Sequence, residues 1–257
     1  MPSKPKDLKS AAPRLDLGED DPAYSLQDAP ARTQIPDNIG HRERLRQRVL
    51  TAGAESLADY EILEMLLFAA SSRGDTKPLA KALMRNFGSL SKVLKAEPDA
   101  LRKIDKVGDA VITTLKVAEI LGSRMLRSVV EKKNVLGSWQ ALLEYVHGVM
   151  GDRHIEHFRI LFLNNKNHMI ADEIQHSGTV NHTTAYPREV VKRALELGAT
   201  AIILVHNHPS GDTTPSPADI HLTREIIEAA EALKIKVHDH LIVGHNDSVS
   251  MKSLGLL

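Results

Sequence analysis

The chain of 257 residues contains no cysteine. This absence excludes disulfides, thiolate zinc fingers and cysteine nucleophiles, so any metal must be held by histidine, aspartate or glutamate. No apolar run approaches the ~18 residues that a membrane-spanning helix requires. The N-terminal segment MPSKPKDLKSAAPRLDLGEDD contains no hydrophobic signal core. These absences predict a soluble, cytoplasmic protein that does not associate with a membrane.

Composition and periodicity divide the chain into four parts. Residues 1–38 are rich in Pro, Asp, Ala and Lys and have few large apolar residues, which predicts a disordered tail. Residues 39–127 show apolar residues at three- and four-residue spacing and no strand candidate, which predicts a small all-helical domain. Residues 128–135 are expected to form a linker, and the charged run 127–133 is either linker or helix end. The helices are expected at HRERLRQRVL, LADYEILEMLLFAA and about 76–86, 89–95, 98–104 and 108–127.

Strands and helices alternate in the fourth part, residues 136–257. Two strands in HFRILFLNNKNHMIADEI join through an Asn-rich turn at 164–167, and Pro187 and Gly198 mark the start and the end of a helix. The apolar run AIILV predicts a buried strand, followed by a helix near 217–233 and two short strands, KIKVHDH and LIVGH. This order predicts an α/β (α+β) sandwich with a mixed sheet.

Two histidines follow the buried run directly. His206 and His208 are two residues apart, and positions i and i+2 of a strand point the same way. Pro209 cannot continue the ladder, and Asp219 falls in what is expected to be the first turn of a helix. Two imidazoles and a carboxylate, with a fourth position left for water, are typical of a catalytic zinc site.

Each of these pieces also has a simpler explanation. Ser216, Pro217 and Asp219 form a good helix N-terminus, with serine as the cap, proline at the first position and an acid at the third. A lone His-x-His pair can be a polar strand exit. The joint spacing His-x-His, seven residues, Ser, two residues, Asp favours the metal site, and a helix N-terminus beside two imidazoles suits a site that handles negative charge.

This spacing, H-x-H-x7-S-x2-D, resembles the JAMM motif of the MPN/JAMM metallopeptidase fold, and YPREVVKRALELGATAIILVHNHPSGD followed by PSPAD and DHLIVG resembles the RadC family. The resemblance covers roughly 41–257 and is strongest over 156–245. It implies a JAMM/MPN-type sandwich in which His206, His208 and Asp219 bind Zn²⁺. It also implies that Ser216 hydrogen-bonds near the bound water and the developing oxyanion.

The resemblance further implies a glutamate from an earlier strand as general base and acid. Glu156, just before the strand FRILFL, matches that position best, and Glu173 on the next strand is the second candidate. Zinc would lower the pKa of its water from ~15.7 to about 7, the glutamate would carry the proton to the leaving amine, and Ser216 would stabilise the oxyanion. The implied activity is that of a metalloprotease that hydrolyses peptide or isopeptide bonds.

Other histidines need an explanation as well. His238, Asp239 and His240 form a cluster in which both histidines are expected to share one strand face; a second metal site is one interpretation, and strand-edge polarity or orientation of the zinc ligands is the other. By the resemblance, Asp239 and His240 orient the ligands. A further set is expected to be exposed in loops: His176, His182 and His245. Substrate specificity is expected from loops such as 179–185, and the sequence indicates neither the substrate nor the oligomeric state.

The helical domain, together with the repair role that the resemblance to RadC implies, supports an alternative function: a DNA-associated repair or recombination accessory protein in which the metal is structural or idle. Residues 41–136 carry a surplus of six basic groups, although the whole chain is neutral, and such a surplus attracts polyanions. The segment LRKIDKVGDA resembles a helix-hairpin-helix element, whose turn contacts a DNA phosphate through backbone N–H groups. Lys106 replaces the first glycine of that turn and only Gly108 remains, which weakens the expected DNA contact. Four alternating arginines spread around one helix and are expected to form a solvated face: Arg42, Arg44, Arg46 and Arg48.

Overall fold

The computed structural model describes residues 40–71, 74–131, 133–178 and 185–257. The tail predicted at 1–38 lies outside this part of the chain, as do His182 and most of the loop expected to set specificity. In the described residues, no helix combines the length and the apolar character needed to cross a bilayer.

Helices make up the first half of the described chain. They are α1 (His41–Ala52), α2 (Asp59–Leu67), α3 (Lys77–Phe87), α4 (Leu90–Lys95), α5 (Pro98–Leu101) and α6 (Asp109–Glu131), and α7 (Trp139–Met150) follows. Helices α2 to α6 surround a core of buried aliphatic side chains that includes Leu63, Leu83 and Leu115. No strand precedes Glu156 in the described residues, as predicted. Helix α6 extends to Glu131, so the charged run predicted as linker or helix end is largely the end of a helix.

A mixed five-stranded sheet forms the second half. Its strands are β1 (Glu156–Leu163), β2 (Met169–Gly178), β3 (Ala201–Asn207), β4 (Lys236–Val243) and β5 (Ser248–Ser250), in the order β2-β1-β3-β4-β5. Only β3 and β4 pair in parallel, and the other neighbours are antiparallel. Two further helices, α8 (Pro187–Glu196) and α9 (Pro217–Glu231), connect β2 to β3 and β3 to β4. The predicted α+β class with a mixed sheet is confirmed.

Each face of the sheet carries a separate apolar core. Alternate residues of β3 face opposite sides, so Ile203 and Val205 pack against α7, whereas Ile202 and Leu204 pack against α8 and α9. Strand β3 is buried along its whole length because helices cover both faces. The helices therefore hold the end of β3, where the histidine motif begins, in a rigid frame.

Local turn chemistry agrees with the sequence. The hairpin between β1 and β2 forms at 164–167, where the Asn164 side chain accepts the backbone N–H of Lys166 at 2.9 Å and Asn167 adopts a φ of 58°. Asparagine tolerates this left-handed conformation better than most residues. Pro187 opens α8 and Gly198 follows its end with a φ of 64°. His176, expected in a loop, lies in strand β2.

Strand β4 differs from the prediction. The two short strands expected at KIKVHDH and LIVGH are one strand, and the three-residue β5 was not predicted. Two strands were predicted because the polar residues 238–240 interrupt the run of apolar residues. In the structure His238, Asp239 and His240 are all buried and hydrogen-bonded within the strand. Buried polar groups are tolerated where they have such partners.

A β-bulge interrupts the pairing of β4 with β3. Ile202 pairs with Val237 and Ile203 with Asp239, which leaves His238 as the extra residue. The bulge breaks the alternation of side chains, so His238 and His240 do not share a face as expected. His238 contacts Asn167 at 2.8 Å, whereas His240 contacts His206 on the other side of the sheet.

Candidate metal centre

The histidine motif lies where β3 ends, beside the start of β1 and the start of α9. The strand, expected to end at Val205, continues through Asn207, so His206 is a sheet residue that pairs with Phe158 of β1 and Ile242 of β4. The His206 ring stacks on Phe158 with an interplanar angle of 16°. His206 therefore forms the closed back of the site, and His208, just beyond the strand, forms its more open side.

Three side chains meet at this point. The Nε2 atoms of His206 and His208 are 2.9 Å apart, and they lie 3.3 Å and 3.6 Å from Oδ1 and Oδ2 of Asp219, respectively. The side chain of His206 is 1% exposed, and those of His208 and Asp219 are 18% and 17% exposed. The three candidate ligands predicted from the sequence are thus close enough to bind one ion.

The start of α9 orients the aspartate. Ser216 caps the helix: its Oγ accepts the Asp219 N–H at 3.2 Å, and Asp219 Oδ2 accepts the Ser216 N–H at 2.8 Å. The Ser216 hydroxyl also donates to Asp219 Oδ2 at 2.6 Å. The helix cap and the metal motif are therefore the same structure, because the capping box holds the carboxylate so that Oδ1 faces His206.

A backbone carbonyl orients the His208 ring. Its Nδ1 lies 2.5 Å from the carbonyl oxygen of Asp212. A carbonyl can only accept a hydrogen bond, so Nδ1 carries a proton, and the neutral form of the ring has its lone pair on Nε2. This is the tautomer that an Nε2 metal ligand needs.

The electrostatics favour a cation between these groups. Burial lowers the pKa of His206 to about 4, so this ring is neutral near pH 7. The hydrogen bond with Asp219 raises the pKa of His208. Burial would raise the pKa of Asp219, but His208, His206 and Ser216 outweigh it and hold that pKa well below its usual range. The donor set of two imidazole nitrogens and one ionised carboxylate fits Zn²⁺.

The two candidate glutamates differ in their surroundings. Glu156 begins β1, two residues before Phe158, and therefore lies on the face of the sheet that carries His206. It is half-buried and contributes to the raised pKa of His208. Glu173 pairs with Ile160, farther along the sheet, and both its oxygens accept hydrogen bonds from Arg193, at 2.6 Å and 2.8 Å. Of the two candidates, Glu156 lies beside the site, whereas Glu173 is held in an ion pair with Arg193.

Asn207, the middle residue of the motif, has a role that the sequence analysis missed. Its side chain is buried; Oδ1 accepts the His157 N–H at 2.9 Å and Nδ2 donates to the Ile155 carbonyl at 3.1 Å. These bonds tie the start of β1, and with it Glu156, to the end of β3. The position of Asn207 between the two histidines could have indicated from the sequence that it has a role in the site. Its partners, however, are known only from the way the strands pair.

The loop after His208 packs against the turn between β4 and β5. His208 N–H donates to the Val243 carbonyl at 3.0 Å. Gly211 has a φ of 85°, and a Cβ at this position would lie 2.7 Å from Cδ2 of His245. His245, expected to be an exposed loop residue, is instead half-buried against this glycine.

Replacing Gly211 with alanine is expected to lower the free energy of unfolding by more than the ~1–2 kcal/mol that a left-handed backbone costs a non-glycine residue. The added Cβ would also displace the His245 ring. Gly198→Ala is the matched control, since Gly198 has a φ of 64° but open space around its Cβ position. Urea denaturation of both variants measures the difference; equal losses would mean that the ring moves aside freely.

The cluster on β4 divides into two roles. His240 Nε2 lies 2.8 Å from Nδ1 of His206, so this residue touches a candidate ligand. Asp239 does not: it accepts hydrogen bonds from the Ser250 hydroxyl and the Lys252 N–H, and so anchors the segment after β5. No second metal cluster is present among the residues that the structure describes.

The arginines of α1 have partners within the helical part. Arg48 pairs with Glu61 at 2.8 Å, and the Arg42 guanidinium lies 4.5 Å above the Phe68 ring. Two of the arginines therefore stabilise the protein itself. Lys106 adopts a φ of 65°, a left-handed conformation that glycine adopts more readily than lysine.

Comparisons with known proteins cover both halves of the chain. Residues 136–256 match the family model described as RadC-like JAB domain, and residues 37–113 match the model described as UPF0758 N-terminal. A UPF0758 protein from Rhodobacter capsulatus is 55% identical over 213 residues, which cover 83% of this chain and 100% of the relative. The similarity thus includes the candidate metal centre and most of the helical part.

Proposed function

We propose that this chain, which belongs to the UPF0758 family and contains a RadC-like JAB domain, is a zinc-dependent hydrolase of peptide or isopeptide bonds. The observation that supports this most is the convergence of two imidazole Nε2 atoms and one ionised carboxylate at the end of β3. In the described part of the chain no fourth His, Cys, Asp or Glu joins them. Structural zinc sites are usually closed by four protein ligands, whereas catalytic sites keep a position for water.

His206, His208 and Asp219 would hold the metal. When bound, zinc supplies a water whose pKa is about 7, and hence hydroxide at neutral pH. The open side of the site, where His208 and Asp219 are partly exposed, is the side from which substrate can approach. The closed side is formed by His206 and Phe158, which are both buried.

Glu156 is the proposed general base and acid. Its position at the start of β1, on the His206 face, brings a carboxylate to the border of the site. It would accept the proton of the attacking water and deliver it to the leaving amine. The ion pair of Glu173 with Arg193 argues against Glu173 in this role, because removing that carboxylate from its partner would have a cost.

Ser216 is the proposed oxyanion stabiliser. Its hydroxyl has one proton, which is directed at Asp219 Oδ2 in this structure. Rotation of that hydroxyl toward the substrate would stabilise the tetrahedral oxyanion, a contribution typically of ~2.7–4 kcal/mol. The backbone N–H of Ser216 would keep Asp219 in place during this rotation.

Removal of the metal tests the proposal. Dialysis of the full chain against a strong chelator is expected to abolish hydrolysis of peptide or isopeptide-linked substrates, and stoichiometric zinc is expected to restore it. Magnesium serves as the control, because it prefers oxygen ligands and a six-coordinate shell. Hydrolysis that survives chelation with zinc content at background would contradict the proposal.

A further inference from the structure

We propose that His240 and Thr223 are positioning residues that fix the tautomer of His206 through a buried chain of hydrogen bonds. Of the proposed function, this inference requires only that the site binds a metal. The first bond joins His206 Nδ1 to His240 Nε2 over 2.8 Å. The second joins His240 Nδ1 to Thr223 Oγ1 over 2.6 Å, and the third joins Thr223 Oγ1 to the carbonyl oxygen of Asp219 over 2.5 Å. All three side chains are at most 1% exposed, so water does not compete for these bonds.

The last member of the chain sets the direction of every bond in it. The Asp219 carbonyl has no proton, so the single proton of the Thr223 hydroxyl must point to it. Thr223 Oγ1 then has only lone pairs for His240, and His240 Nδ1 must carry the proton of that bond. His240 therefore accepts at Nε2, and His206 must donate from Nδ1.

The consequence for His206 is a defined ligand atom. With its proton on Nδ1, the neutral ring has its lone pair on Nε2, the atom that faces His208 and Asp219. If His240 were charged, its Nε2 would donate to His206 Nδ1 and the direction of that bond would be reversed. However, His240 is fully buried, and its ring hydrogen-bonds to no carboxylate in the described residues. An unpaired buried charge is costly, so the neutral ring is the stable form.

Two separate carbonyls thus orient the two imidazoles. The Asp212 carbonyl acts directly on His208, and the Asp219 carbonyl acts on His206 through two intermediates. Both rings consequently keep a proton on Nδ1 and direct Nε2 toward each other, 2.9 Å apart, where one cation can be bound by both atoms. Thr223 follows Asp219 by one helical turn, so α9 supplies both the carboxylate ligand and the anchor of the chain.

The β-bulge at His238 puts His240 into this chain. Without the extra residue, the alternation from Val237 would turn His240 to the opposite face of the sheet. The bulge brings His240 to the face of His206, where its ring also packs edge-on against Phe158, with centroids 5.6 Å apart. Bulges commonly re-aim a side chain next to an active site.

Zinc affinity of a pair of His240 variants tests the inference. His240→Gln can accept from His206 through its amide oxygen and donate to Thr223 through its amide nitrogen, so its zinc Kd is expected to stay close to that of the unmodified chain. His240→Phe keeps the ring volume and loses both bonds, and its zinc Kd is expected to rise roughly 10–100-fold. His238→Phe, another buried histidine of β4 outside the chain, is the matched control and is expected to leave the zinc Kd unchanged. Competition with a chromophoric chelator measures all four proteins.

The zinc-free proteins provide a second readout. The ¹⁵N chemical shifts of the His206 ring report which nitrogen carries the proton, and the Nδ1–H form is expected in the unmodified chain and in His240→Gln. In His240→Phe the Nε2–H form is expected to become populated. This measurement needs neither zinc nor catalysis, so it separates a failure of this inference from a failure of the proposed hydrolase function.

Thr223 provides the same test in case His240→Phe does not fold. Thr223→Val removes the hydroxyl at almost constant volume, whereas Thr223→Ser keeps it. Thr223→Val is expected to weaken zinc binding on the order of tenfold and to release the His206 tautomer, and Thr223→Ser to do neither. Unchanged ¹⁵N shifts and zinc affinity in Thr223→Val, or equal losses in His240→Phe and His238→Phe, would overturn the proposal.

Discussion

Replacing Glu156 with glutamine is expected to lower the rate of peptide or isopeptide hydrolysis by roughly 10²–10⁴-fold, the usual contribution of a general acid–base residue. The amide keeps the size of the side chain but cannot accept the proton of the attacking water. Zinc content is expected to stay at the level of the unmodified chain, because Glu156 is not one of the three residues that form the candidate metal centre. Initial rates and metal analysis on the same preparations measure both.

Glu173→Gln is the matched control for this experiment. It changes a carboxylate on the neighbouring strand that is already paired with Arg193. Its expected effect is a modest loss of stability, since exposed ion pairs contribute about 0.2–1 kcal/mol, with little change in rate. A large rate loss in Glu173→Gln together with normal rates in Glu156→Gln would transfer the base to Glu173. Normal rates in both would argue against a glutamate base.

The second large effect concerns the metal. The double variant His206→Ala/His208→Ala is expected to lose its zinc almost completely, because it keeps only Asp219 of the three ligands. A single carboxylate does not hold zinc against water and buffer, since protein zinc sites need three or four ligands. Mass spectrometry of the metal content after gel filtration measures the loss.

His221→Ala is the control for nonspecific binding, because His221 lies on α9 with its side chain 77% exposed, outside the cluster. It is expected to keep its zinc. The double variant also removes the buried His206 ring, so its melting curve must show a folded protein before its zinc content is interpreted. A folded double variant with the same zinc content as the unmodified chain would rule out this site.

Much of the fold could be predicted because its signals are local. The spacing of apolar residues indicated the helices of the first half, Pro187 and Gly198 marked the ends of α8, and the asparagines at 164–167 indicated the hairpin. The ligand set was also a local signal, since His206 and His208 are two residues apart at the end of β3 and Asp219 belongs to the capping box of the next helix.

The errors arose where partners come from distant parts of the chain. Polar residues on β4 looked like a break between two strands, because the sequence does not indicate that Asp239 is paired with Ser250 and His240 with His206. The bulge at His238 depends on the register with β3 and has no signal in the local pattern. For the glutamate, the family resemblance favoured Glu156 over Glu173, but only the strand pairing shows which of the two lies beside His206.

The amino-acid sequence alone determined which reactive groups are available. These are the imidazoles of His206 and His208 at the end of a strand and the carboxylate of Asp219 at the start of the next helix, and the chain contains no thiol. The hydrogen-bond partners of these groups, the position of Glu156 beside them and the position of His240 behind them were decided only when the strands paired and α9 packed on the sheet. The physical reason is that strand periodicity and helix capping act over a few residues, whereas a tautomer is set by whichever buried donor or acceptor the fold brings within hydrogen-bond distance.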